Sequence, residues 1–176
     1  YTERNGTEQQ PRSPASPAAP PVEVAIDSIA AGGDGVGRLD DGRVIFVPRT
    51  APGDRVRAGV VRDRGCWLRG EVVEWLDEAD ERRSAPCPHF ERCGGCQLQH
   101  LTYEDELAWK TDRVARLFEE AGFTRDLVHP CMGSEVPWNY RNKVDLTSKT
   151  FDEELHLGFL PYGEKHRLIE FEQCPI

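Results

Sequence analysis

Three cysteines within ten residues are the strongest constraint that this sequence places on its fold. They are Cys87, Cys93 and Cys96 of the segment CPHFERCGGCQLQH, with Gly94 and Gly95 between the last two. The glycines allow the backbone to turn tightly, so that two thiolates can face one centre. Soft thiolate ligands favour zinc or an iron-sulfur cluster over calcium or magnesium. The spacing therefore predicts a metal centre that joins this segment to a fourth ligand elsewhere in the chain.

The fourth ligand has several candidates. Zinc sites usually contain two close pairs of ligands, whereas this segment has one close pair, so the spacing favours a cubane cluster with a remote cysteine. Cys174, in EQCPI, and Cys131, in HPCMG, are the two candidates for that cysteine. His89 and His100 are close enough in sequence to complete a zinc site, and zinc therefore stays the alternative metal.

Composition and hydropathy exclude several classes of protein. Six cysteines in 176 residues are too few for a disulfide scaffold. No run approaches 18 apolar residues, and the first residues lack the basic and apolar regions of a signal peptide. We therefore expect a cytoplasmic protein without a membrane partner, and nothing in the sequence indicates an obligate protein partner. The chain, which begins with Tyr1, is interpreted as a fragment of a longer protein.

Short β-prone runs separated by turn residues predict a small barrel in the first half of the chain. Residues 1–21 are polar and rich in proline and alanine, which predicts a disordered arm. Residues 22–80 contain four or five such runs, with Asp41-Gly42 as a hairpin signal, and this pattern is typical of an OB-like five-stranded barrel. The loop AGGDGVG (residues 31–37) precedes a hairpin, so its glycines are predicted to permit a bulged turn and not to hold a phosphate.

Residues 81–176 are predicted to form a small α+β module around the cysteine segment. Thr102 and Asp105 are placed to cap a helix that Gly122 can end. Its apolar stripe is predicted to be core and comprises Leu107, Val114, Leu117, Phe118 and Ala121. Three further strands are predicted in VPWNYRNKVDLTSK, LHLGFLPYG and HRLIEFEQC. The predicted fold class is thus mainly β with α+β, a barrel followed by a cluster-binding module.

Arginines concentrate in the predicted barrel although the formal net charge of the chain is -9. Binding of nucleic acid needs a basic footprint, and arginine suits forked contacts to phosphate and stacking on bases. We therefore predict a nucleic-acid surface on the barrel, with a solvated charged strand surface as the alternative. The arginines concerned are Arg38, Arg43, Arg49, Arg55, Arg57, Arg62, Arg64 and Arg69.

The segment CPHFERCGGCQLQHLTYEDELAWK resembles the iron-sulfur segment of the RNA uracil-C5 methyltransferases, the bacterial family that makes 5-methyluridine in 23S ribosomal RNA. Residues 22–77 resemble the TRAM barrel of that family, and VPWNYRNKVDL through CPI resembles its central domain. The resemblance implies a [4Fe-4S] cluster held by Cys87, Cys93, Cys96 and Cys174. It also implies that the cluster is structural and related to RNA binding, with no electron transfer in the methylation.

The same resemblance implies structured RNA, 23S rRNA in particular, as the partner. Arg141 and Lys143 in WNYRNK are predicted to meet RNA near the cluster, with Trp138 and Tyr140 in the core as the alternative reading. The family's S-adenosylmethionine-binding catalytic domain has no counterpart in this sequence. No catalytic residue is therefore assigned, and the chain alone is predicted to be inactive. The alternatives are part of a tRNA uracil-C5 methyltransferase, or an RNA-binding or redox module stabilised by zinc or an iron-sulfur cluster.

Overall fold

A closed five-stranded barrel forms the first half of the protein. The computed structural model describes residues 20–80 and 82–176, so the predicted disordered arm, apart from its last two prolines, lies outside the described residues. The strands are β1 (Val22–Ile29), β2 (Gly35–Arg38), β3 (Val44–Val47), β4 (Arg55–Asp63) and β5 (Trp67–Asp77). They close in the order β1-β2-β3-β5-β4. The predicted mainly β fold class with an OB-like barrel is confirmed.

The barrel closes around alternate side chains of its strands. Residues two apart on a strand point to the same face, so each strand sends every second residue inwards. Because these residues are apolar, the interior is a small aliphatic core. The buried set consists of Val24, Ile26, Ile45, Val47, Val56, Ala58 and Leu68. β3 and β5 pair in parallel, whereas the other neighbours are antiparallel.

Two glycines of the AGGDGVG segment lie inside β2, not in the predicted loop. A Cβ atom at Gly35 would lie 1.9 Å from Thr50 Oγ1, and one at Gly37 would lie 2.4 Å from the carbonyl oxygen of Ala25. Both positions therefore need glycine because neighbouring atoms occupy the space of a side chain. The predicted hairpin turn is confirmed, since Gly42 has a φ of 85° between β2 and β3.

The second half of the described chain contains one long helix and one β-hairpin. Helix α1 (Tyr103–Glu120) is followed by a short 3-10 helix (Arg125–Leu127) and by strands β6 (Thr147–Phe151) and β7 (Glu154–Gly158). Thr102 caps α1 by accepting a hydrogen bond from the Asp105 N–H at 3.2 Å, as predicted. Gly122 follows the helix with a φ of 85°, which is the predicted left-handed ending. None of the helices in residues 20–80 and 82–176 is long and apolar enough to cross a membrane.

The predicted strands around this hairpin are partly wrong. The first begins at Thr147, because the segment before it is irregular and Tyr140, Val144 and Leu146 are all exposed. Alternation specifies a strand only where one face is buried, and here neither face is. The segment HRLIEFEQC forms no strand and contributes an isolated bridge between Ile169 and Phe159.

The apolar stripe of α1 is also mostly outside the core. Val114, Leu117 and Phe118 are exposed, and Ala115 is the buried residue of the helix. The helix meets the barrel through Trp109, whose indole N–H donates to the carbonyl oxygen of Ile29 at 3.2 Å. Spacing alone predicted an amphipathic helix correctly but not the side of it that packs.

A buried carboxylate joins the barrel to the second module. Asp54 is completely buried and accepts hydrogen bonds from the N–H groups of Ala51 (2.6 Å) and Ala79 (2.9 Å). Arg82 donates to the same carboxylate at 2.9 Å and also to the carbonyl oxygen of Arg49 at 3.0 Å. The aromatic ring of Trp75 covers the Arg82 guanidinium at 4.1 Å. These contacts fix the chain where it leaves β5.

His100 makes a second buried contact across the same boundary. Its Nε2 atom lies 3.2 Å from the carbonyl oxygen of Thr50, and its ring stacks on Phe90 with 5.7 Å between the centroids. Its Nδ1 atom is buried and has no hydrogen-bond partner among the described residues. Burial lowers the pKa of His100 to about 4, and the nearby cations Arg82 and Arg49 act in the same direction, against Asp54 and the Thr50 carbonyl.

Replacement of Asp54 by alanine should destabilise the whole described fold. It would leave the Arg82 guanidinium and two N–H groups without their buried acceptor, at a cost of about 3–5 kcal/mol in the free energy of unfolding. Urea denaturation measures this change. Glu74→Ala is the control, because it removes an exposed carboxylate that pairs with Arg57 and should cost about 1 kcal/mol or less. Equal losses in the two variants would contradict the assigned role of Asp54.

Stability should fall between pH 6.5 and pH 4 because of His100. The pKa of His100 is about 4 in the folded protein and near 6.5 when the chain unfolds, so over this range the unfolded state binds the extra proton. Between pH 7 and pH 5 the free energy of unfolding should drop by about 2 kcal/mol through this residue. His100→Gln should remove that part of the pH dependence. His156→Gln, at a histidine paired with Glu170 near the surface, should retain it.

Candidate metal centre and nucleic-acid surface

Four of the six cysteines line one cavity. Cys87, Cys93, Cys96 and Cys174 surround a space of about 40 Å³ whose other walls include the side chains of Phe90, Phe159, Ile169 and Phe171. Cys131 does not line this cavity. It is exposed, and its N–H donates to Thr111 Oγ1 at 2.8 Å. Of the two cysteines considered as the remote ligand, Cys174 is therefore the one that lies with the cluster segment.

Backbone hydrogen bonds connect the cysteine segment to the chain after β7. Gly94 N–H donates to the Leu160 carbonyl oxygen at 3.0 Å, and Tyr162 N–H donates to that of Arg92 at 3.0 Å. A Cβ atom at Gly94 would lie 3.0 Å from the Leu160 oxygen, so this close approach favours glycine. Gly94-Gly95 thus has two roles: it turns the backbone, and it lets the cysteine segment approach the residues that follow β7.

A separate set of contacts holds the cavity wall that carries Cys174. The Asn139 N–H donates to the carbonyl oxygen of Pro175 at 2.8 Å, directly beside the cysteine. The rings of Phe159 and Phe171 stack with 4.7 Å between their centroids. Phe171 belongs to the segment that was predicted to be a strand, and it reaches the cavity through this ring contact without strand pairing.

Two thiols of the cavity, those of Cys93 and Cys96, are biased towards the protonated form. Burial raises the pKa of Cys93 and of Cys96, and the neighbouring cysteines, Cys87 and Cys174 among them, raise both further. A hydrogen bond from the Gly95 N–H to Cys93 Sγ at 3.4 Å acts in the opposite direction. A metal that binds here must therefore displace protons, which makes its affinity dependent on pH.

The cysteines that line the cavity match a thiolate-ligated metal group in chemical kind. His89 lines the same cavity, whereas His100 faces Thr50 and is not in its lining, which leaves one of the two histidines considered for zinc. Within residues 20–80 and 82–176, however, no three His, Cys, Asp or Glu side chains are arranged to hold a metal ion.

Most of the arginines predicted to bind nucleic acid have other partners in the structure. Arg43 contacts Asp41 and Asp63, at 2.7 and 3.1 Å. Arg55 contacts Glu23 and Asp77, Arg57 contacts Glu74, and Arg69 contacts Asp34. Arg38 donates to the carbonyl oxygen of Gly42. The guanidiniums that pair with carboxylates are poorer phosphate ligands than free ones. Each would have to share its N–H donors between the carboxylate and the phosphate.

Besides Arg38, three of the predicted arginines form no ion pair with a described residue. Arg62 and Arg64 are exposed near the turn between β4 and β5. Arg49 is partly buried, donates from Nε to the carbonyl oxygen of Phe90 at 3.1 Å, and lies over the rings of Phe90 and Tyr162. No carboxylate of a described residue neutralises the positive charge of these three arginines.

The WNYRNK segment presents its polar residues to solvent. Arg141 lies over the Tyr140 ring at 5.9 Å and lines the cysteine cavity. Lys143 is exposed and lies 3.6 Å from Asp145. Tyr140 is 60% exposed, so the core position considered for it is wrong. Trp138 is half-buried under the Arg83 guanidinium at 5.6 Å.

Residues outside the predicted set also shape the site. Tyr162 donates to Asp34 Oδ1 at 2.6 Å and lies between the guanidiniums of Arg49 and Arg69, at 5.2 and 5.1 Å from its ring centre. Burial raises the pKa of Tyr162, with Asp34 acting in the same direction. The sequence gives no local signal for this group, because its members come from distant segments.

The chain is similar in sequence to a known domain and to proteins named as RNA methyltransferases. Residues 21–73 match the TRAM domain. The chain is 38% identical over 157 residues to an uncharacterized RNA methyltransferase of Halalkalibacterium halodurans, covering 88% of this chain and 34% of that protein. It is 36% identical over 157 residues to an uncharacterized RNA methyltransferase of Gloeobacter violaceus, with the same coverage. The chain thus spans about a third of the length of the curated relatives it matches.

The chain also resembles a solved structure of an RNA methyltransferase. The crystal structure of the tRNA (uracil-54, C5)-methyltransferase of Pyrococcus abyssi in complex with S-adenosyl-L-homocysteine superposes with a TM-score of 0.56. The sequence identity is 26%, and the match covers 86% of this chain and 32% of the other. The chain therefore contains a TRAM domain and is related to proteins named as RNA methyltransferases.

Proposed function

We propose that this chain is the RNA-recognition and [4Fe-4S] part of an S-adenosylmethionine-dependent 23S rRNA uracil-C5 methyltransferase, which makes 5-methyluridine. The observation that carries the proposal is that Cys174 lies beside Cys87, Cys93 and Cys96 around one cavity. The TRAM domain and the relatives named as RNA methyltransferases support the RNA-related part. The solved uracil-C5 methyltransferase supports the chemistry, because its structure contains S-adenosyl-L-homocysteine, the product of methyl transfer from S-adenosylmethionine.

The role proposed for the four cysteines is structural. When bound, the cluster would supply four thiolate bonds that connect the cysteine segment to the segment around Cys174. Four such bonds between distant parts of the chain restrict the unfolded state and stabilise the module. The apolar walls of the cavity, among them Phe90 and Ile169, would shield the site from water.

The role proposed for the basic residues is to bind RNA phosphates. The arginines of the barrel differ in availability, and Arg62 and Arg64, which are exposed and have no side-chain partner among the described residues, are the ones we expect to contribute most. Arg141, which lines the cysteine cavity, and Lys143 are proposed as further RNA contacts. We infer that the protein acts in the cytoplasm on structured RNA, without a membrane and without an obligate protein partner. No residue of this chain is assigned to the methylation step.

A tRNA substrate is the second candidate. It is favoured by the solved structure, whose protein is a tRNA (uracil-54, C5)-methyltransferase. Both candidates use the same chemistry and differ in the RNA that the chain recognises. RNA binding by the chain therefore distinguishes them.

The cluster proposal predicts the metal content of two cysteine variants. After anaerobic purification the protein should contain about four irons and four sulfides per chain. Cys174→Ser should lose most of this iron because it removes one of the four thiolates, whereas Cys131→Ser should retain it. Iron, sulfide and zinc assays with absorbance near 400 nm measure both. Zinc without iron, or full iron content in Cys174→Ser, would contradict the proposed ligand set.

The RNA proposal predicts salt-dependent binding. The chain should bind a structured 23S rRNA fragment, and affinity should fall by about tenfold or more between 50 and 200 mM salt as phosphate contacts are lost. Fluorescence anisotropy with labelled RNA measures this fall. A tRNA transcript of equal length is the comparison, and tighter binding of the tRNA would favour the second candidate. Absence of binding to either RNA at 50 mM salt would contradict both.

A further inference from the structure

A large cleft separates the barrel from the second module. It has a volume of about 950 Å³ and is lined on one side by β4 and β5. The other side consists of residues 161–164 and 167–168, after β7, together with Glu91 and Arg92 of the cysteine segment. We call it the barrel cleft. It is distinct from the cysteine cavity and is open enough to accept an extended chain.

The charge in the barrel cleft is opposite in sign to that of the whole chain. Five arginines line it, against three glutamates, whereas the chain carries a formal net charge of -9. Two of the five are neutralised locally, because Arg69 pairs with Asp34 at 3.0 Å and Arg167 pairs with Glu164. The other three, which are Arg49, Arg62 and Arg92, form no ion pair with a described residue. The cleft therefore presents cations that have room for an anion.

Arg49 is held in an unusual conformation at the inner end of the cleft. Its backbone has a φ of 61°, in the left-handed region that non-glycine residues seldom adopt. The guanidinium lies over two aromatic rings and donates to a carbonyl oxygen. Such strain persists only when surrounding contacts maintain it, and it concentrates at functional sites. The contacts of Arg49 fix the guanidinium while leaving its charge without a carboxylate.

Apolar and aromatic surface lies beside these cations. Val61 and Trp75 line the cleft and are 54% and 38% exposed. The Tyr162 ring lies in the cleft lining between Arg49 and Arg69. Alternation of guanidiniums with aromatic faces is the arrangement that binds single-stranded nucleic acid, where phosphates meet cations and bases stack on rings.

We infer that the barrel cleft binds a single-stranded segment of RNA, with phosphates at Arg62 and Arg92 and a base against the exposed ring of Trp75. This inference rests on the proposed function, since it assumes an RNA partner, and it adds where an unpaired stretch of that RNA lies. Arg49 would complete the phosphate-binding row at the inner end. An acidic peptide would also be attracted by the arginines but would make no use of the stacking surface.

Two side-chain truncations test the cleft with little risk to the fold. The backbone of Arg62 pairs with that of Arg69, and the Arg92 carbonyl accepts from Tyr162, so Arg62→Ala and Arg92→Ala keep these hydrogen bonds. Each variant should weaken binding of a labelled 15-nucleotide oligouridylate about tenfold. Each should also reduce the slope of log affinity against log salt by about 0.7, the value for one phosphate of a single strand.

The control is Arg113→Ala, on α1. Arg113 also forms no ion pair with a described residue, and it lies in a different hollow, beside Trp109. It removes the same charge from the chain, so its affinity for the oligouridylate should change by less than about twofold if position rather than net charge matters. Melting temperatures of all three variants should match the unsubstituted chain, which excludes unfolding as the cause.

The outcomes separate this inference from the proposed function. If the unsubstituted chain binds neither oligouridylate nor structured RNA, the proposed function fails. If it binds structured RNA but Arg62→Ala and Arg92→Ala bind oligouridylate as it does, the cleft inference alone is overturned. Equal loss in Arg113→Ala would also overturn it. Polyglutamate that binds as tightly as oligouridylate, with the same dependence on Arg62 and Arg92, would assign the cleft to an acidic protein instead.

Discussion

The buried carboxylate of Asp54 is the interaction on which the arrangement of the two halves depends. It fixes the loop before β4 through Ala51 and the exit from β5 through Ala79 and Arg82. Three N–H donors offset the cost of burying this carboxylate, and Trp75 covers the guanidinium that supplies one of them. The cysteine segment starts a few residues after Arg82, so its position relative to the barrel follows from this anchor.

The cysteine cavity and the barrel cleft share a wall. Phe90 lines the cavity, stacks on His100 and accepts a hydrogen bond from Arg49, which lines the cleft. Arg92 lies between Phe90 and Cys93 in sequence and faces the cleft. The segment that carries the cysteines is thus also one side of the cleft, so a change that loosens the cavity would move the cations on its other side.

The features that could be predicted from the sequence are those that neighbouring residues encode. The barrel strands follow from alternation of apolar residues, and the ends of α1 from Thr102 and Gly122, because capping and periodicity act over a few residues. The exposure of Val114 and Leu117 could not be predicted, since it depends on which side of the helix meets the barrel. The neutralisation of Arg57 by Glu74 was equally hidden, because it follows from the register of β4 against β5. The number of arginines in the barrel sequence is therefore larger than the number of guanidinium charges that are free of a carboxylate partner.

The distance in sequence between Cys96 and Cys174 has a consequence for the order in which the protein forms. The barrel is built from one continuous stretch, residues 22–77, and can close while later residues are still being synthesised. The cysteine cavity cannot, because one of its walls arrives with Cys174, ~10 s later at ordinary rates of translation. During that interval the three clustered thiols are exposed on a nascent chain whose barrel is already formed.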